Sequence, residues 1–141
     1  MSDNYSLIIK NGSCYIGGKF QKIDLALSGN KIKKVGKIDL NSGKVFDATG
    51  KIVLPGAIDT QVHFREPGAN DAENLESGSR AAVAGGITSV FEMPNTNPPT
   101  STFKEFNKKL TAAKDRMFCN YAFYFGATPD NMKELAIVNT L

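Results

Sequence analysis

The second half of the sequence alternates between short apolar runs and amphipathic stretches, and this alternation limits the fold more than any other feature. Consecutive strand–helix units of this kind are typical of a parallel sheet with helices packed on it. The predicted strands cover 57–64, 87–93 and 118–125, and the predicted helices between them cover about 72–84 and 102–117. The sequence therefore predicts an α/β fold from residue 55 to the carboxyl end.

The predicted helix ends carry recognisable signals. Asp71 is the expected N-cap of the first helix, and Gly85 is its expected end. Thr102 and Glu105 form the pattern of a capping box at the start of the second helix. A further helix is expected after the Thr128-Pro129 pair.

The length of this half leaves two interpretations of the fold. An eightfold strand–helix barrel needs ~250 residues, so residues 57–141 would supply roughly three of eight units. A complete three-stranded parallel sheet would leave apolar strands at open edges, which favours aggregation. A small three-unit α/β domain is possible, but the amino-terminal part of a TIM-like (β/α)8 barrel fits the apolar edges better.

Residues 1–54 follow a different pattern, with short alternating strands separated by turns. The Asn11-Gly12 pair predicts a hairpin, and six strands in about fifty residues predict a small antiparallel β-sandwich. The sequence therefore predicts two domains, a β-sandwich over 1–54 and an incomplete barrel over 55–141.

Composition excludes several classes of function. A hydrophobic content of 41% and a charged content of 22% are typical of a soluble globular protein. The net charge of +3 is weak, and the lysines are scattered, so neither nucleic-acid nor membrane binding is expected. Lys104, Lys108, Lys109 and Lys114 are interpreted as a solvated helix face. Two distant cysteines and an amino terminus without a signal-peptide pattern indicate a cytoplasmic protein.

The first predicted strand of the barrel part carries four polar side chains on one face. Strand alternation places Asp59, Gln61, His63 and Arg65 on the side opposite to Ile58 and its apolar neighbours. Each of these groups would cost a few kcal/mol if it were buried without a partner. A carboxylate, an amide, an imidazole and a guanidinium on one face predict a site for a metal and an anion.

His63 is the only histidine in the sequence. A single histidine is commonly a hydrogen-bonded structural residue, but the position of His63 beside Gln61 and Asp59 favours a metal ligand. Zinc requires three or four N, O or S ligands, and an amide oxygen is a poor one, so Gln61 adds little. Asp59 is a candidate ligand or a carboxylate that supports a ligand. The visible metal site is therefore incomplete.

Arg65 and Asn95 are the candidate anion-binding residues. Arg65 follows the first barrel strand, and its guanidinium can bind a carboxylate through two parallel hydrogen bonds. A salt bridge from Arg65 to Glu66 is the alternative interpretation. Asn95 follows the next strand in a proline-rich loop, where it is either a fixed amide donor or simply a turn residue. If the strands are neighbours, both side chains can meet over one anion.

These residues resemble the amidohydrolase superfamily, and most closely its dihydroorotase branch. That branch usually begins its barrel with Pro-Gly-x-x-Asp-x-His-x-His-x-Arg-Glu-Pro-Gly and later carries Met-Pro-Asn-Thr, which this sequence matches over 55–68 and 93–96. Related hydantoinases and allantoinases share the strand motif but usually lack the arginine and the second motif. The resemblance extends over the whole sequence and includes the flanking β-sandwich.

The resemblance implies a zinc-dependent hydrolase that interconverts dihydroorotate and N-carbamoyl-L-aspartate in pyrimidine biosynthesis. By that resemblance His63 is a ligand of one or two zinc ions, and Arg65 with Asn95 binds the substrate carboxylate. The sequence departs from the family at Gln61, which replaces the first histidine of the His-x-His pair. The resemblance places the remaining ligands and the catalytic aspartate beyond Leu141, so the 141-residue chain alone is expected to be inactive.

Other functions remain open at this point. The departure at Gln61 favours a noncatalytic dihydroorotase-like subunit that scaffolds aspartate transcarbamoylase. Another cyclic amidohydrolase, or a small α/β module that binds an anion through Arg65 and Asn95, is also compatible with the sequence. A homo-oligomer is expected only by analogy with the family.

Overall fold

A computed structural model describes residues 4–39 and 43–138, so that Leu141 lies outside the described residues. The chain divides into two compact units, Met1–Pro55 and Gly56–Leu141. The division lies one residue beyond the one expected from the sequence.

The described part of the first unit contains seven short strands in two sheets. The strands are β1 (Leu7–Lys10), β2 (Ser13–Ile16), β3 (Lys19–Lys22), β4 (Asp24–Ser28), β5 (Lys31–Gly36), β6 (Lys44–Asp47) and β7 (Ile52–Val53). One sheet has the order β5-β4-β1-β6, and the other has the order β3-β2-β7. The pairs β1–β6 and β2–β7 are parallel, so the prediction of a purely antiparallel unit is wrong for these two pairs.

The hairpin predicted at Asn11-Gly12 is also wrong, because β1 and β2 belong to different sheets. Asn11 has a left-handed backbone with φ of 64°, which suits a turn residue. Its backbone N–H donates to Asp24 Oδ1 at 3.1 Å, and its side-chain amide donates to Asp47 Oδ1 at 3.0 Å. These long-range hydrogen bonds hold a turn that carries the chain from one sheet to the other.

The second unit alternates strands and helices, as the sequence predicts. Its described elements are β8 (Ala57–Val62), α1 (Leu75–Ala84), β9 (Ile87–Glu92), α2 (Phe103–Ala113), β10 (Asn120–Phe123) and α3 (Met132–Val138). The described strands form one parallel sheet in the order β10-β9-β8. The prediction of an α/β fold is confirmed for this unit.

The helix ends agree with the sequence at two of three positions. Thr102 caps α2 by accepting a hydrogen bond from the Glu105 backbone N–H at 3.2 Å, and Gly85 ends α1. Asn74 caps α1 instead of the predicted Asp71, because Asn74 and Ser77 exchange side-chain and backbone hydrogen bonds. This reciprocal capping box fixes the start of α1 three residues later than expected.

The apolar core of the second unit lies between the sheet and its helices. Its buried members are Phe64, Leu75, Val90, Ala113 and Phe123. Helix α1 approaches the ring of Phe64 closely at Gly78, where an added Cβ would lie 2.3 Å from Cδ1 of that ring.

Strand β8 is largely exposed. Ile58 is 60% exposed, because β8 is an edge strand among the described residues and has a neighbour on one side only. The pairing of β8 with β9 is regular at Ile58 and Asp59 and then shifts before Val62. Strand β8 therefore has one unpaired side among the described residues.

Replacement of Leu75 by alanine tests the core directly. Leu75 is fully buried, so Leu75→Ala should lower the free energy of unfolding by ~2–5 kcal/mol through lost burial and a residual cavity. Leu110→Ala is the matched control, since Leu110 is 38% exposed and its truncation should cost only about 1 kcal/mol. Urea denaturation of both variants gives the comparison, and equal losses would contradict the assigned core.

Candidate active site at the carboxyl ends of the strands

Parallel pairing brings the loops after β8 and β9 to the same edge of the sheet. The backbone N–H of Met93 donates to Val62 O at 3.0 Å, and that of Asn97 donates to Pro67 O at 3.0 Å. Gly68 has φ of 113°, and a Cβ there would lie 2.6 Å from Cβ of Asn97, so only glycine allows this approach. The two loops therefore form one packed surface.

His63 and Asn95 are joined directly across these loops. His63 Nδ1 lies 2.8 Å from Asn95 Oδ1. An amide oxygen can only accept a hydrogen bond, so Nδ1 carries the hydrogen, and in the neutral imidazole Nε2 then keeps its lone pair. Metal-binding histidines usually have their second ring nitrogen fixed by such a hydrogen bond. The contact thus prepares Nε2 as a ligand atom.

Arg65 and Asn95 line one hollow of about 180 Å³ with the backbone of the two loops. Arg65 has a left-handed backbone with φ of 60°, an uncommon conformation for a residue other than glycine. Among the described residues, neither the Arg65 guanidinium nor the amide nitrogen of Asn95 has a hydrogen-bond partner. The hollow therefore offers several unused N–H donors and a positive charge, which suits a carboxylate.

Glu66 does not pair with Arg65, so the alternative salt-bridge interpretation is wrong. The Glu66 carboxylate accepts two hydrogen bonds from Arg116, at 2.8 and 3.1 Å, and a third from the Leu75 backbone N–H at 2.9 Å. Burial acts to raise the pKa of Glu66, but these hydrogen bonds outweigh it, and the pKa is lowered. Glu66 thus ties the first loop to α1 and to the end of α2, and it leaves Arg65 free.

Asp59 and Gln61 are not joined to His63. The Asp59 carboxylate accepts a hydrogen bond from the backbone N–H of Gln61 at 3.0 Å, which occupies one of its oxygens. The Gln61 residue is exposed. Within 4–39 and 43–138, no group of three or more His, Cys, Asp or Glu side chains is placed to hold a metal ion. The described chain therefore presents one well-prepared nitrogen ligand.

Glu92 and Lys109 form a buried ion pair below the second loop. Lys109 is 2% exposed and Glu92 is fully buried, and the ammonium also donates to Thr100 Oγ1 at 3.0 Å. Burial raises the pKa of Glu92, although the hydrogen bond from Lys109 and the charge of Lys109 oppose that rise.

The prediction that Lys109 lies on a solvated helix face is wrong. The sequence held two signals of this pair. One is a glutamate in an otherwise apolar strand, and the other is the helical spacing that puts Lys109 on the face of Phe106 and Ala113.

Comparison with known proteins identifies the family. The model of the Amidohydrolase family matches residues 52–136, which is more than half of the chain. The chain belongs to the amidohydrolase family. The match begins in β7 and includes both loops of the candidate site.

Curated relatives and solved structures resemble this amidohydrolase over most of its length. It is 40% identical over 124 residues to a dihydroorotase of Lactobacillus helveticus, and 40% identical over 132 residues to a dihydroorotase of Methanosarcina mazei. These alignments cover 88% and 90% of the chain but 29% of each relative. The L-hydantoinase of Arthrobacter aurescens superposes with a TM-score of 0.88 at 29% identity, over 96% of this chain and 31% of the other.

The chain thus spans less than a third of the length of these proteins. In the described residues of this amidohydrolase, no helix is both long and apolar enough to cross a membrane.

The Glu66 contacts predict a pH-dependent contribution to stability. Glu66→Gln should cost about 1–2 kcal/mol at pH 7, because charge-assisted hydrogen bonds to a partly exposed Arg116 are lost. A lowered pKa means that this contribution is present above the ordinary glutamate value of about 4.3 and is lost as the pH falls through the lower, folded value.

Urea denaturation from pH 7 down to pH 3 measures this effect. The difference in the free energy of unfolding between the parent and Glu66→Gln should become smaller toward pH 3. Asp39→Asn is the control, because Asp39 makes a highly exposed ion pair with Lys37 and should change stability little at any pH. A difference that stays constant with pH would contradict the role assigned to Glu66.

Proposed function

We propose that this chain supplies the substrate-carboxylate half of a dihydroorotase-like active site, which interconverts dihydroorotate and N-carbamoyl-L-aspartate. One observation carries the proposal: the free donors of Arg65 and Asn95 line one hollow beside His63. Dihydroorotate is a cyclic amide with a carboxylate on its ring. The 40% identity to proteins named dihydroorotase supports the same substrate.

In this proposal Arg65 and Asn95 select and orient the substrate. The guanidinium binds the ring carboxylate through two parallel N–H groups, and the Asn95 amide nitrogen adds a further donor. Because Asn95 also holds His63 through its oxygen, one side chain links the bound carboxylate to the imidazole. This linkage would place the ring amide at a fixed distance from any group that His63 holds.

We infer that β8, β9 and β10 with their helices are the first three units of a TIM-like (β/α)8 barrel, and that residues 1–54 are the β-sandwich that precedes it. The superposition on the hydantoinase supports this assignment. So does an open apolar groove of about 820 Å³ beside β10, lined by Phe103, Phe106, Leu110 and Phe123 among others, where a following unit would pack.

A metal is the proposed cofactor, with zinc as the expected ion. His63 fits a ligand, since its Nδ1–H is engaged and its Nε2 is free. The described residues do not fit a complete zinc site. Gln61 offers only an amide oxygen, and one carboxylate oxygen of Asp59 already accepts a hydrogen bond from the backbone. When bound, the metal would polarise the ring amide; the proposal assigns to this chain only the donation of Nε2.

Two other functions are tied to particular observations. Gln61, at the position of a missing ligand, favours a noncatalytic subunit that scaffolds aspartate transcarbamoylase. The superposition on hydantoinases favours a neutral cyclic amide as substrate. The coding sequence after codon 141 separates the first from an enzyme, since a continuation without further histidines would support the scaffold. The purified 141-residue chain should not hydrolyse dihydroorotate in any of these cases.

The choice of substrate can be tested in the complete protein that contains this chain. Arg65→Met should lower kcat/KM for dihydroorotate by about 100-fold, because a charge-assisted bidentate contact is lost. It should change kcat/KM for dihydrouracil, which lacks the carboxylate, by less than about threefold. Arg80→Met is the control, since Arg80 makes an exposed pair with Glu76. Equal losses on both substrates would contradict carboxylate binding by Arg65.

The metal assignment can be tested on the chain itself. Gln61→His should raise zinc affinity by about tenfold or more, because a second imidazole would stand two residues before His63. Competition with a chromophoric chelator measures the affinity. His63→Ala in the Gln61→His background is the control and should remove the gain. An unchanged affinity would show that residue 61 does not face the same ion as His63.

A further inference from the structure

A single buried ammonium group holds both ends of the loop that carries Asn95. Lys109 Nζ contacts Glu92 Oε2 at the end of β9 and Met93 O at the start of the loop, the latter at 3.4 Å. The same nitrogen donates to Thr100 Oγ1, at the far end of the loop, at 3.0 Å. The side chain comes from α2, so it connects the helix, the strand end and the loop in one place.

Hydrogen bonds inside the loop transmit this anchoring to its tip. Thr100 N–H donates to Pro94 O at 2.9 Å, and Thr96 Oγ1 donates to Pro98 O at 2.9 Å. Thr96 Oγ1 also lies 3.4 Å from Thr100 Oγ1. The loop is therefore closed on itself around the point that Lys109 holds, and Asn95 lies within the closed part.

We propose that Lys109 is a positioning residue, which fixes the loop over 93–100 so that Asn95 Oδ1 stays on His63 Nδ1 and keeps Nε2 free. Its value for catalysis depends on the proposed function, but the coupling itself does not. Neither Lys109 nor Glu92 is expected to touch the substrate.

The energetics favour this role over simple stabilisation. A buried ion pair recovers its desolvation cost only when all of its polar atoms are satisfied, and apolar residues of similar volume are often as stable. Here both charged groups are almost completely buried, and the Glu92 carboxylate has Lys109 as its charged partner. The ion pair therefore adds little stability that an apolar pair could not supply. Three directed N–H bonds from one nitrogen, however, fix the loop in a way that an apolar side chain cannot.

The ring nitrogens of His63 provide a direct readout, because the chain has no other histidine. Nitrogen-15 shifts of the imidazole in the 141-residue chain report which nitrogen carries the hydrogen. The parent should show mainly the Nδ1–H tautomer. Lys109→Met should lower the ratio of Nδ1–H to Nε2–H by about fivefold, the effect of one net hydrogen bond. Lys108→Met is the matched control, since Lys108 pairs with Glu105 at the surface.

A double variant separates positioning from stability. Glu92→Leu with Lys109→Met removes both charges, so it should restore the melting temperature lost in Lys109→Met while the tautomer ratio stays low. Recovery of the parent ratio together with stability would overturn the proposal, as would an unchanged ratio in Lys109→Met. Failure of both variants to fold would assign the pair to the core alone and would also overturn it.

The outcome of the tautomer measurement does not depend on which substrate the protein binds. A failure of Arg65→Met to discriminate between dihydroorotate and dihydrouracil would reject the proposed function, and it would leave the tautomer ratios unaffected. A failure of the tautomer test would reject the role of Lys109 and leave carboxylate binding intact. The two proposals therefore fail separately.

Discussion

The parallel pairing of β8 with β9 is the constraint on which the candidate site depends. Parallel strands end at the same edge of a sheet, so the loops after them must meet there. The meeting is tight, with Asn97 N–H bonded to Pro67 O and Gly68 packed on Asn97. An antiparallel pair would have put His63 and Asn95 at opposite ends of the sheet. Their hydrogen bond is therefore a consequence of topology.

Buried charges below the surface fix the two loops. Glu66 is held by Arg116 and by the start of α1, and Glu92 is held by Lys109 from α2. Glu66 joins its loop to the start of α1 and to the segment after α2, and Glu92 joins the end of β9 to α2. Ion pairs of this kind add little net stability after desolvation, but they specify one arrangement. A site that must orient a small substrate benefits from such an arrangement.

The chain contains the proposed anion-binding part of the candidate site but only one proposed ligand of its metal-binding part. The proposed anion-binding groups, Arg65 and Asn95, lie together with unused donors, whereas His63 is the one proposed metal ligand among the described residues. The chain spans 29% of the curated relatives, and β8 and β10 are edge strands in the described sheet. The N–H groups that are proposed to bind a carboxylate come from two adjacent loops, so a short segment can supply all of them. Within the described residues, no group of three or more His, Cys, Asp or Glu side chains is placed to hold a metal ion.

The sequence by itself determined the alternation of strands and helices after residue 56, the cap at Thr102 and the candidate residues His63, Arg65 and Asn95, because these depend on local pattern and motif. Only the tertiary structure decided that Glu66 binds Arg116, that Lys109 is buried against Glu92, and that Asn11 turns the chain between two sheets. Glu66 and Arg116 are 50 residues apart in the sequence, and Glu92 and Lys109 are 17 residues apart. Local periodicity reports which face of an element a residue occupies, but the identity of a distant partner is set by how the elements pack.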